Sequence, residues 1–545
     1  MTSVLTSDPE RYFGILAMSY NYLPQHLKAC FLYLCAFPED CDIECWRLIR
    51  LWVAEGFIKA KDPRDLEEMA EENLEDLIGR NLVLVGKRSS SGRIKTCFIH
   101  DLLRDLCFRE ARREKFMHTG IVRCLSLHSG SCSNFHSDHS IQLTYSLLCF
   151  DVGFDDVQIF LSSFKFKLLR VLDIGFMRFD YFPLVILKLV HLRFIALTSA
   201  CDLPSSISDL WNLQTVLVQG PWIGRKYGKV PTLPAEIWKM SNLRHLSFTA
   251  TCALPGPFRA EDNGNNSLVL QNLHALSTMR IASWTKEVSE NMPNLKKLGI
   301  HETKEDSESC ETLSCFPSDL FYLHNLETLK CSFNYLNQKK MRLPDWNAFP
   351  EKLKNLTLSG SYLPWEDMDT LGLLPNLELL KLKNNAFQGQ VWEPNEEGFQ
   401  RLKLLLIEKT DLVHWRESYD NFPRLQFLIL RSCEFLEEIP CKIADLLELI
   451  ELHNCSPSAE SSAKMIQEEQ RNLSNESLVV QDMDSLGLLP NLEVLKLKNY
   501  AFQGQVWEPN EEGFQRLILL LIEKPDLVHW RARKSHSHSH GAIIR

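Results

Sequence analysis

The chain has 545 residues, of which 45% are hydrophobic and 24% charged, and its formal net charge is -10. That length accommodates several domains or one small domain and a long solenoid, and the apolar share excludes a disordered chain. The acidic balance argues against nucleic acid as the main partner, because a basic stripe would be needed there.

Met1 is followed by Thr, Ser and Asp, not by a basic and then apolar run, so no secretory signal is expected. The 17 cysteines, several of them inside periodic apolar segments (Cys30, Cys35, Cys331), then read as reduced thiols without disulfides. No apolar run is long enough for a membrane span. The expected location is cytoplasmic, with peripheral attachment at membranes left open.

Residues 1–8 form a short lead, and residues 9–118 read as a small helical domain with a hairpin. Pro24 and Pro38 punctuate the first helices, and Leu27, Phe31, Leu32 and Leu34 share one face. A second amphipathic helix is predicted over 43–58, with Trp46, Ile49, Leu51, Trp52 and Phe57 in the core. An acidic helix follows over 64–80, with Leu66, Met69, Leu74, Leu77 and Ile78 inward. Leu82–Val85 and Ile94–Ile99 read as a hairpin joined by 86–92, and a helix over 102–113 closes the unit.

Helices followed by a hairpin make a winged-helix fold, which in other proteins often binds DNA. Here the second helix carries Arg47 and Arg50 but also Glu44, Glu55, Trp46 and Trp52, the pattern of a packing helix and not of a groove reader. Ile99-His100-Asp101 ends the hairpin and opens the last helix. Asp101 suits a helix cap or first-turn acid, and His100 could hydrogen-bond a phosphate or serve the fold alone.

Residues 119–166 read as a connector with a first irregular repeat, and 167–470 as a solenoid. The pattern Leu-x-x-Leu-x-Leu recurs from Leu169-x-x-Leu172-x-Ile174 to Leu447-x-x-Ile450-x-Leu452. Its spacing is mostly in the twenties, with one longer step between Leu243 and Leu295. Several units carry an upstream Pro-x-x-Ile or Pro-x-x-Leu piece, such as Leu203-Pro-Ser-Ser-Ile207. The fold class is therefore α/β: a small helical winged-helix domain followed by a leucine-rich repeat solenoid with a curved parallel β-sheet.

Strand alternation puts a second set of residues on the concave face. The partner-binding candidates are Phe194, Thr198, His245, Thr328, Lys330, Asn355, Thr357, Lys381, Phe427 and Arg431, with Ala196, Ser247 and Lys383 on the same face. Phe194 and Phe427 are the expected exposed anchors. No catalytic residue and no metal ligand is expected, and the chain is not read as an enzyme.

Residues 368–416 and 483–531 are almost the same text, differing at few places such as Asn385 against Tyr500. The polar stretch 459–470 reads as a helix that caps the solenoid, and 471–482 as a linker. The second copy would then lie past the cap. In the tail 532–545, His536, His538 and His540 alternate with serines, a pattern of weak incidental metal affinity at most.

Residues 9–118 resemble the winged-helix end of the nucleotide-binding switch (NB-ARC) in plant NLR immune receptors, and the late blight resistance group of nightshade plants in particular. The resemblance rests on Leu51-Trp-Val-Ala-Glu-Gly-Phe57, on Ile99-His100-Asp101 in the place of the family's Met-His-Asp triplet, and on the repeats. It implies that His100 approaches an ADP phosphate, with ADP or ATP the cofactor of complete members. Gly-x-x-x-x-Gly-Lys-Ser/Thr is absent from the sequence, so an N-terminally truncated receptor is expected, with no cofactor and no tight nucleotide binding by this chain alone. The resemblance also implies recognition of a pathogen effector or a modified host protein, hypersensitive cell death, and contact with NB-ARC and coiled-coil domains in cis or in trans. A repeat-based substrate adaptor, or another binding scaffold without immune signalling, is the alternative.

Overall fold

The structure, a computed structural model, describes residues 18–472 except 40, 60–65, 90–91, 115, 119–120, 128–142, 151–165, 180, 200–201, 220–229, 258–267, 303–315, 317, 334–341, 396–397, 417–420 and 445–446. Beyond 472 it describes only the backbone of short strands between 479 and 544. The chain divides into two compact units, residues Met1–Asp306 with Asp319–Glu327 and residues Ser307–Ser318 with Thr328–Arg545.

The first unit opens with helix α1 (Gln25–Tyr33), which buries Leu27, Cys30, Phe31, Leu32 and Tyr33. Helix α2 (Cys45–Glu55) stops at Gly56, whose φ of 80° lets its N–H reach back to the carbonyls of Trp52 and Val53. Helix α3 (Leu66–Gly79) begins with Glu67 and Glu68, and α4 (Asp101–Arg113) with Asp101, placing acids at the positive ends of their dipoles. The strands β1 (Ile43–Glu44), β2 (Leu84–Arg88) and β3 (Ile94–Phe98) form an antiparallel sheet in the order β1-β3-β2. This is a winged helix.

Two expectations need correction. Ile43 and Glu44 pair with Cys97 and Thr96 instead of starting the helix. Trp46 is 40% exposed, because it lies one turn from Arg50 and the guanidinium stacks on its ring at 4.8 Å, outside the core. Trp52 is fully buried, as expected.

Among the described residues, eight parallel strands then follow in chain order in this unit. They are β4 (Cys124–Leu127), β5 (Ser146–Cys149), β6 (Val171–Phe179), β7 (Phe194–Ser199), β8 (Thr215–Gln219), β9 (His245–Cys252), β10 (Ala275–Arg280) and β11 (Lys297–His301). Strand β10 fills the long step in the leucine pattern. Its register shifts between Leu276 and Met279, and Thr278 takes φ 65°, so Met279 arrives one place late at the inward position. The prolines of the Pro-x-x-Ile pieces, Pro204 and Pro234, open short 3-10 turns whose Ile207 and Ile237 are buried.

An asparagine before several of the leading leucines ties successive repeats. Asn212 donates to the Val190 carbonyl at 3.0 Å, Asn242 to Trp211 at 2.9 Å and Asn272 to Ser241 at 2.8 Å. These side chains satisfy carbonyls that no strand partner reaches.

The second unit contains, among the described residues, seven parallel strands of one main sheet. They are β12 (Thr328–Ser332), β13 (Asn355–Ser359), β14 (Leu379–Lys383), β15 (Leu404–Glu408), β16 (Phe427–Arg431), β17 (Leu449–His453) and β18 (Val479–Gln481). Behind β13 to β15, Trp365, Trp392 and Trp415 stack with centroids 5.0 and 4.8 Å apart. Gly360 has φ 68°, and a Cβ there would lie 2.0 Å from the Phe333 carbonyl oxygen, so no other residue fits this turn.

Helix α5 (Pro457–Asn472) covers the predicted capping stretch, yet β18 follows it and pairs Leu449 with Val479. Part of the expected linker is thus a further strand. In the second copy, Val494 pairs with Leu519 as Leu379 pairs with Leu404, and Leu519–Ile522 also pairs with Gly541–Ile544. The tail histidines His536, His538 and His540 lie outside the described residues. The strands of the copy form a sheet separate from the main one. Deleting everything after Asp482 is therefore expected to leave a soluble chain with an unchanged unfolding midpoint by calorimetry. Aggregation of that truncation would show that the copy closes the solenoid.

Candidate functional site

The Ile99-His100-Asp101 triplet sits at the junction of β3 and α4. Ile99 is buried, while His100 and Asp101 are exposed. His100, not Asp101, is the N-cap: its Nδ1 accepts the Leu102 N–H at 3.3 Å. The helix forms here because this ring satisfies one of its orphan donors, and Asp101 adds first-turn charge.

The winged helix is docked on the outward face of the first repeat strands. Its apolar core is continuous with Cys124, Leu148, Val171, Phe194, Ala196 and Leu217. Around that core lie ion pairs, each from a helix to a strand or the turn before it. Glu55, at the end of α2, is fully buried. Its carboxylate accepts from Ser146 Oγ and, at 3.2 Å, from Arg123 Nε, and its backbone carbonyl accepts from Arg170 at 2.8 Å. Arg123 is itself packed among the rings of Phe57, Phe116 and Tyr145. Burial pushes the Glu55 carboxyl up, and Arg123, Ser146 and Arg170 pull it back.

Arg47, on the same helix, makes a two-pronged bond to Asp173 of β6, with Nε to Oδ2 at 2.9 Å. At the start of α3, Glu67 accepts from Arg244 Nε at 2.8 Å and from His245 Nε2 at 2.7 Å. Beside it Glu68 pairs with Lys296 at 3.2 Å. The two arginines that would suggest a DNA groove reader are thus occupied by Asp173 and Trp46.

These contacts correct the reading of three expected partner-binding residues. Phe194, expected as an exposed anchor, is fully buried under the winged helix. His245 is 6% exposed and bound to Glu67. Thr198 is half-buried and donates to the Gly175 carbonyl. The winged helix covers Phe194 and His245, whereas Thr198 is tied to the neighbouring repeat strand.

Burial, followed by the neighbouring Arg50, lowers His245 to about 3, so it stays neutral and donates Nε2–H to Glu67. Unfolding exposes it to its ordinary value near 6.5, so between about 3 and 6.5 the unfolded chain binds the extra proton. The stability it supports is full above pH 6.5 and is lost as pH falls through that window. Thermal midpoints measured from about pH 7.5 down to about 5 should fall more steeply for the native chain than for His245→Gln. Identical acid slopes would show that His245 is not held neutral.

The remaining seven candidates lie on the second unit in register. One column runs Thr328, Asn355, Leu379, Leu404, Phe427, Leu449, and the next Lys330, Thr357, Lys381, Leu406, Ile429, Glu451. A third runs Ser332, Ser359, Lys383, Glu408, Arg431, His453. The face passes from polar at β12 and β13, where Asn355 donates to Thr328 at 3.1 Å, to an apolar cluster of Leu404, Leu406 and Ile429. Leu379 and Phe427 pack against that cluster, so Phe427 is half-buried instead of fully exposed. Arg431 and His453 both bind Glu451, at 2.7 and 2.6 Å, and with the His453 bond foremost they lower its carboxyl to about 2.

Sequence reasoning does not single out Glu55, Glu67, Arg123, Arg170 or Arg244. The available signal was Glu55 itself, a charge within the apolar run Leu51-Trp-Val-Ala-Glu-Gly-Phe57. Among the described residues no helix is long and apolar enough to cross a membrane.

Residues 36–107 match the family model described as the disease resistance protein winged helix domain, and residues 146–452 match that of a leucine-rich repeat region. Late blight resistance protein R1-A of Solanum demissum is 35% identical over 500 residues, covering 84% of this chain and 36% of that protein. Two putative homologues from the same species, R1B-12 and R1B-23, are 35% identical over 501 and 503 residues, again across 84% of this chain. The chain spans about a third of the length of these relatives, 36% for R1-A, 35% for R1B-12 and 37% for R1B-23. With the repeat model matching more than half of it, the chain belongs to the leucine-rich repeat family, and its winged helix and repeats are similar to those of late blight resistance proteins.

Proposed function

We propose that this chain is the recognition part of a plant immune receptor, one that acts by binding a protein partner and not by catalysis. The observation that carries this reading is the graded face of β12 to β17. Polar, basic and apolar side chains stand there in register across neighbouring strands, which is how a repeat sheet presents a protein-binding surface. The partner is a pathogen effector or a host protein altered by one, and binding feeds defence signalling and hypersensitive cell death. The winged helix links the repeats to the NB-ARC and coiled-coil domains of the complete receptor, joined in cis or supplied in trans. ADP or ATP belongs to that complete switch, with His100 of the Ile99-His100-Asp101 triplet approaching its phosphate.

The test is binding of the full chain to a panel of secreted pathogen effectors by calorimetry, beside the variant Lys381→Glu/Phe427→Ala/Arg431→Glu. An effector that binds the native chain and loses at least about tenfold in affinity, or about 1.4 kcal/mol, to the variant supports the reading. Effector binding that the variant leaves unchanged overturns this face as the recognition surface.

A further inference from the structure

Two cysteines at the end of the second unit stand in adjacent repeats at the same place. Arg431 of β16 pairs with His453 of β17, and two residues further on come Cys433 and Cys455. Each follows a residue in the left-handed region, Ser432 at φ 51° and Asn454 at φ 54°, so the two turns have the same form and aim both thiols alike. Neighbouring strands run about 4.8 Å apart, inside the Cα separation of about 4.4–6.8 Å that a disulfide spans. Each sulfur also donates to the preceding repeat, Cys433 to the Ile407 carbonyl at 3.6 Å and Cys455 to the Leu430 carbonyl at 3.4 Å.

We propose that Cys433 and Cys455 are a redox-responsive pair, oxidised by peroxide to a disulfide that staples β16 to β17 beside the partner-binding face. The two thiols have different tasks. Cys455 is half-buried and reachable by a small oxidant, whereas Cys433 is fully buried behind it. Cys455 is the more accessible of the two, and the neighbouring Cys433 lowers its thiol to about 7, so it is the attacking sulfur. The Cys455 thiolate attacks one peroxide oxygen. The O–O bond breaks, leaving Cys455 sulfenic acid, and the departing oxygen takes up a proton to become water. The Cys433 sulfur then attacks the Cys455 sulfur; the S–S bond forms and the S–O bond breaks. The leaving hydroxide takes the Cys433 proton as the second water, so two thiols lose two electrons and one peroxide gains them.

The staple acts on two neighbours. Ser456, next to Cys455, caps α5 by accepting the Ala459 N–H at 3.0 Å. Arg431 and His453, which grip Glu451 on the outward face, each precede a cysteine by two residues. Linking the turns therefore holds both the start of α5 and this edge of the face. Other thiols serve as internal controls. Cys441 is exposed, and Cys45, two residues from the Ile43 that pairs with Cys97, is buried in the winged helix as Cys97 is.

The test uses the full chain, reduced, desalted and titrated with hydrogen peroxide, then alkylated and mapped by non-reducing mass spectrometry. A Cys433–Cys455 linked peptide, two hydrogens lighter than its reduced halves, should appear at about tenfold lower peroxide than oxidation of Cys441. Cys455→Ser should abolish the link, and Cys433→Ala should leave sulfenic acid at Cys455, trapped by dimedone. Alkylation of both cysteines as free thiols at doses that oxidise Cys441 overturns the proposal, as does a first link at Cys45–Cys97. Should Cys433→Ala not fold, the titration of the native chain decides alone.

Discussion

Replacing Glu55 by alanine is expected to destabilise the first unit by about 3–5 kcal/mol, the cost of removing one partner from a buried ion pair. The side chain is fully buried, and its removal leaves Ser146 and Arg123 facing an empty site. Arg123 is held among three rings, with 32% of its side chain exposed. Glu55→Gln should cost clearly less, because it keeps the volume and can still accept from Ser146, and because burial already disfavours the charge. A chain of two compact units need not unfold in one step. The suitable measurement is therefore hydrogen exchange of the peptides covering 45–55 and 146–149. Exchange unchanged within about 0.5 kcal/mol in Glu55→Ala would show that the docking of α2 on β5 does not depend on this carboxylate.

Trp52→Ala should cost about 3–5 kcal/mol, as large aromatic truncations in a closed core do. Trp52 is fully buried in the core shared by the winged helix and the first repeats. Among the described residues its indole N–H has no hydrogen-bond partner, which makes a second variant informative. Trp52→Phe loses part of the volume but also removes an unsatisfied buried donor, so its cost should be well below that of alanine. The same exchange experiment separates the two. Equal losses for Phe and Ala would mean that the N–H does have a partner, such as a bound water.

Both effects arise where the winged helix meets the repeats, and that meeting was the part least legible in the sequence. The leucine pattern located strands because an inward leucine every two or three places is a property of each repeat by itself. It missed β10 where Thr278 takes φ 65° and delays Met279 by one place. Over β4 and β5 it showed only an irregular repeat, because Val122, Thr144 and Cys149 stand in places of the pattern's leucines. Likewise Trp46 and Trp52 share an amphipathic helix, but only contact with other elements separates the half-exposed ring under Arg50 from the buried one.

The sequence alone determined the order of the domains, the fold class, the α2 and α4 helices to within a turn at either end, and the facing of residues in strands that keep the leucine pattern. These follow from local periodicity and from caps such as Gly56, which act over a few residues. Which faces stay open was decided by tertiary structure. Phe194 and Phe427 both head a strand in the same pattern, yet one is sealed under the winged helix and the other lies beside an apolar cluster. The first is covered through contacts between residues far apart in the chain, such as Glu55 with Ser146 and Glu67 with Arg244. Alternation specifies the direction of a side chain, whereas burial depends on what the rest of the chain brings against it.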